Sequence, residues 1–144
     1  MAAPFIQDRE SGRRFFCEVW DKHRKGIAPE PLEDLVLGVI MEHPEYHDLL
    51  EQADAQLREF TPEQGITNPF LHMGMHIAIR EQVASDRPAG MAALYRRLLP
   101  EFATAHDLEH RIMECLGETL WVAQRNNTLP DENAYLECIR RIKR

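Results

Sequence analysis

The chain has 144 residues, 44% hydrophobic and 28% charged. That is enough for one hydrophobic core, short for two and too apolar for disorder, so a single domain over residues 1–144 is expected. The formal charge of −7 speaks against a nucleic-acid partner, whose phosphates require clustered Lys and Arg.

Residues 8–25 carry Phe15, Phe16, Val19 and Trp20 at helical spacing, with Arg13, Arg14, Lys22 and Arg24 expected outward. After the link Gly26–Pro31, the run LEDLVLGVIMEH predicts a largely buried helix. Pro44 kinks or interrupts it, because the residue before proline is pushed away from helical geometry, and EYHDLLEQ continues as a further helical piece. A loose helical turn over 53–60 and a loop over 61–67 follow. Asn68 then Pro69 reads as an N-cap with proline at the first helical position, opening a helix to about Ser85. Residues 89–99 predict another helix. Thr104 with Asp107 is a capping-box variant opening the longest one, to about Asn126, with Leu108, Ile112, Cys115, Leu116, Leu120 and Ala123 inward. A final helix follows Pro130, with Tyr135, Cys138, Ile139 and Ile142 as its inner stripe. No alternating strand pattern is present. The fold class expected is all-α, a compact single-domain helical bundle of about five to seven helices with short connections.

The basic group Arg140, Arg141, Lys143 and Arg144 reads as a solvated helix end. Gly38, Gly74 and Gly117 sit inside predicted helices at a cost of about 1 kcal/mol each, which close helix approach would offset. Cys17, Cys115 and Cys138 are odd in number with no Cys-x-x-Cys pair, which predicts reduced core residues rather than a disulfide framework or a thiolate zinc site. The N-terminal MAAPFIQDRE lacks the layout of an export signal, and no apolar run is long enough to span a bilayer. A cytoplasmic protein with no membrane partner is expected.

Six of the seven histidines fall into pairs spaced by four: His43 with His47, His72 with His76, and His106 with His110. On a continuous helix this spacing puts both imidazoles on one side, close enough to bind one ion. Glu114 extends the last pair into a ladder. The candidate metal ligands are therefore His72, His76, His106, His110 and Glu114, a set of imidazoles and a carboxylate that suits a divalent transition metal such as zinc or iron. Flanked by Phe70, Leu71, Met73, Met75 and Ile77, His72 and His76 should be buried. A buried imidazole needs a hydrogen-bond partner or a metal. Arg80, inside the same helix, is placed to meet an acid of a neighbouring helix, and Asp86 with Arg87 to close the following loop.

Two functional readings follow. In one, a buried histidine-rich polar centre binds a transition metal, and if the metal is catalytic, a metal-activated water hydrolyses substrate with Glu81 or Glu114 as base. In the other, the histidines only fix the packing and the chain is a non-enzymatic interaction module acting through an acidic surface or a homodimer interface, where Trp121 or Tyr135 would serve. The His-Glu-x-x-His protease pattern, phosphate-cradling loops, the nucleophile elbow and the dinucleotide fingerprint are all absent from the sequence.

The stretch NPFLHMGMHIAIREQVASDRP, with EHPEYHDLLE before it and HRIMECLGETLWVAQRNN and PDENAYLE after it, resembles a bacterial family catalogued as domain-of-unknown-function family 1841. The likeness runs from about Met41 to Arg140. It implies a bacterial, cytoplasmic, single-domain protein and transfers no functional residue.

Overall fold

The computed structural model describes residues 9–60 and 68–143, so the loop expected at 61–67 and Arg144 lie outside the described residues. The chain is all-α, with seven α-helices and no strand among the described residues. It divides into two compact units, residues 1–77 and 78–144.

Unit 1 begins with α1 (Arg9–Arg24), which turns Phe16, Val19 and Trp20 into its core. Arg13 is buried with them rather than outward. It lies one helical turn before Phe16 on the same face. Its guanidinium donates to the Arg58 carbonyl at 2.8 Å and lies 5.1 Å from the Phe70 ring centre. Gly26, at φ 74°, takes the left-handed conformation just after the helix. Next, α2 (Pro31–Met41) starts with proline in its first turn and a reciprocal cap in which Glu33 accepts from the Glu30 backbone N–H at 2.9 Å. Val36, Val39 and Ile40 on α2 have no exposed surface. As Pro44 predicts, the helix stops before it; a 3-10 turn (Pro44–Tyr46) leads into α3 (His47–Leu50), and a second one spans Ala55–Leu57. The first part of α4 (Pro69–Ser85) adds Phe70, Met73 and Ile77 to this core.

Unit 2 contains the remainder of α4, then α5 (Met91–Leu98), a 3-10 turn (Leu99–Glu101), α6 (Ala105–Asn126) and α7 (Glu132–Arg140). The Asp86 carboxylate accepts from the backbone N–H groups of Gly90 and Ala92 at 3.1 and 3.0 Å, fastening the start of α5. Thr104 caps α6 as expected, accepting from the Asp107 N–H at 3.1 Å. Leu108, Ile112, Cys115, Leu116 and Ala123 are buried. Leu120 is not: it, Trp121 and Val122 turn apolar surface to solvent near the end of α6. A Cβ added at Gly74 or Gly117 would meet nothing within 4 Å, so close helix approach is not what these two glycines serve.

The expectation of three reduced cysteines fails for two of them. Packing of α6 on α7 brings Cys115 and Cys138 to a Cα separation of 5.8 Å, within bridging range, and they form a disulfide. Cys17 is the free thiol among the described residues, and burial, with Glu18 beside it, holds it above its ordinary pKa. Among the described residues no helix is long and apolar enough to cross a membrane.

Candidate metal centre

The start of α4 sets the register of two histidines. The Asn68 side chain accepts from the N–H groups of Phe70 and Leu71 at 3.0 and 3.2 Å, satisfying donors the helix cannot. One turn on, His72 and His76 stand over one another with ring centres 4.9 Å apart and their Nε2 atoms 3.3 Å apart. His76 is fully buried and His72 half-buried.

The third imidazole is His43, which the sequence pairs with His47 and which the candidate ligand set leaves out. His43 follows α2, at φ −128° and ψ 64°, where Pro44 has ended helical geometry. Its ring lies 5.0 Å from His72 and 4.9 Å from His76, is 1% exposed and stacks on Tyr46 at 5.4 Å. Its Nδ1 sits 2.8 Å from the Val39 carbonyl oxygen. A carbonyl only accepts, so Nδ1 carries the proton and, in the neutral ring, Nε2 carries the lone pair. Metal-bound imidazoles are commonly held in this way, with the far N–H donated to a carbonyl that fixes ring and tautomer.

His47, the expected partner of His43, does not join the group. Its Nε2 donates to the Ile40 carbonyl at 2.8 Å, and its ring stacks on Trp20 at 4.1 Å. His23 also stacks on Trp20, at 5.3 Å, and the indole N–H donates to Glu51 at 3.0 Å. The helix break explains the split: spacing of four implies a shared face only where the helix is continuous.

In unit 2, His106 and His110 on α6 do stand together, with ring centres 4.3 Å apart; His106 is half-buried and His110 exposed. Glu114, the third rung of the ladder, has a side chain 75% exposed that accepts from Arg111 Nε at 3.3 Å. The acid that is buried on α6 is Glu109, at 1% exposure. Arg80 Nε lies 3.2 Å from both of its oxygens and the Tyr95 hydroxyl 3.4 Å from one. Arg80 thus meets an acid from a neighbouring helix, as expected. Glu109 was legible in principle, since it shares a face with Ile112 and Leu116 at helical spacing.

The donor chemistry of the unit 1 group suits a small transition-metal ion. With metal–nitrogen bonds of about 2.0–2.1 Å, two ligands of a tetrahedral ion lie roughly 3.3–3.4 Å apart. The 3.3 Å between His72 and His76, where one ring N–H donates to the other ring's nitrogen, has the length of that edge.

No curated protein and no solved structure matches the chain. The family model for a domain of unknown function, DUF1841, matches residues 8–141, nearly the whole chain, and the chain therefore belongs to that family.

Proposed function

We propose that this protein binds a divalent transition-metal ion, zinc or iron, through His43, His72 and His76. The observation that carries the reading is the 3.3 Å approach of the His72 and His76 Nε2 atoms on α4, a hydrogen-bond distance that is also the ligand spacing of a shared ion, beside a His43 ring whose Nδ1 is committed to Val39. Three nitrogen donors leave one position of a tetrahedral ion for water or substrate. An ion held there would supply a water acidic enough to act as hydroxide near neutral pH, so hydrolysis is the reaction class such a site suits. Within unit 2, the adjacent rings of His106 and His110 offer a further pair of nitrogen donors of the same chemistry. Glu114, turned to Arg111, takes no part in it.

Elemental analysis of protein purified without a polyhistidine tag tests this. Near-stoichiometric zinc or iron is expected, with affinity falling at least roughly tenfold in His43→Ala, His72→Ala and His76→Ala. His47→Ala, a histidine outside the group, should keep the metal. Metal-free native protein that also takes up no added zinc overturns the reading. That result would favour the second one, an interaction module, for which the exposed apolar end of α6, with Trp121 57% exposed, is the specific support.

A further inference from the structure

The two cysteines of the disulfide differ in exposure. Cys115 is 4% exposed, whereas Cys138 is half-buried and lines a cavity of about 400 Å³ alongside α6 and α7. A cavity of that size admits a small organic molecule. Thiol–disulfide exchange requires a thiolate to reach one sulfur, so access decides which sulfur is attacked.

The charges around the cavity add a second selection. Glu118, Asp131, Glu137 and Arg141 all line it. Arg141 Nε is committed to Glu137 at 3.5 Å, and Arg140, which does not line the cavity, pairs with the same carboxylate at 3.2 Å. Glu118, Asp131 and Glu137 against Arg140 and Arg141 leave an excess of one negative charge. Asp131 caps α7 by accepting from Ala134 N–H, and Cys138 lies in the last turn of that helix, where the helix dipole is negative. An arriving thiolate is repelled, and repelled most when the rest of the molecule is also anionic.

We propose that Cys138 Sγ is a thiol–disulfide exchange site that admits small cationic or neutral thiols through this cavity and resists anionic ones. The thiolate R–S⁻ attacks Cys138 Sγ and forms a new S–S bond. The Cys115–Cys138 bond breaks, and its electron pair leaves on Cys115 Sγ, which takes a proton. A second thiolate attacks the R-group sulfur of the mixed disulfide, releases R–S–S–R and leaves Cys138 as a thiol. Two electrons pass from two thiols to the protein disulfide, and the covalent link between α6 and α7 is undone.

The test uses the full chain carrying Cys17→Ser, exposed to cysteamine, 2-mercaptoethanol and 3-mercaptopropionate at matched thiolate concentration. With each rate divided by that thiolate's rate on a small neutral disulfide, which removes its intrinsic nucleophilicity, reduction should be fastest with cysteamine and slowest with 3-mercaptopropionate, by roughly threefold or more at low ionic strength, and added salt should compress the range. Glu118→Gln, a change at an exposed side chain, should also narrow it. In the same background, the variant that keeps Cys138 alone (Cys115→Ser) should be thiolated by cystamine faster than the variant that keeps Cys115 alone (Cys138→Ser). Equal normalised rates for the three thiols, or preferential thiolation of Cys115, overturns the proposal.

Discussion

Glu33 shows how a single side chain ties stability to pH. The Lys22 ammonium donates to it at 2.8 Å and the Glu30 backbone N–H occupies its other oxygen, and these two bonds hold its carboxyl below the ordinary carboxylate pKa. A carboxyl whose folded value is depressed stabilises the fold above its unfolded value and loses that contribution as pH falls through the folded one. Glu33→Gln should therefore be less stable than the parent at pH 7, with the difference shrinking as pH drops below the ordinary value of 4.5. Denaturant melts at a series of acid pH values read this directly; a difference independent of pH would show that the pair is not what the substitution removed. Residue by residue, the candidate site was half legible. His72 and His76 could be read because Asn68 and Pro69 fix where their helix begins, so spacing alone gives their shared face. His43 could not, because its position depends on a helix that stops at Pro44 and on a ring rotation anchored by a carbonyl four residues back.

At the scale of elements, local signals located most helices. The caps at Asn68 and Thr104 act within one turn and need no tertiary information. The disulfide, the buried Arg13 and the solvent-facing Leu120 depend on which helix packs against which, and no local pattern encodes that. The same holds for Gly117: its place inside α6 suggested a tight crossing, yet the space beside it is open. Without a neighbour to justify it, the glycine only costs helix stability. Gly117→Ala should stabilise the protein by about 1 kcal/mol, read as a higher denaturation midpoint. A loss of stability instead would reveal a contact on that face that the structure does not show.

At the scale of the whole chain, the two units divide within α4, between Ile77 and Ala78, and each carries one of the two tryptophans: Trp20 in unit 1 and Trp121 in unit 2. A helix running through the division couples its sides, since melting either half strips the other of the next turn's hydrogen bonds. We expect one cooperative transition, with Trp121→Phe (reporting Trp20) and Trp20→Phe (reporting Trp121) each showing coincident fluorescence and circular-dichroism midpoints within its own melt. Midpoints that part company would mark independent domains.

The carbonyl that aims His43 belongs to Val39, a residue with no exposed surface, set among the apolar side chains of α2 and α1. The direction of that imidazole thus depends in part on oily packing beneath it. Swapping one aliphatic for another there would re-aim the ring while leaving every histidine in place.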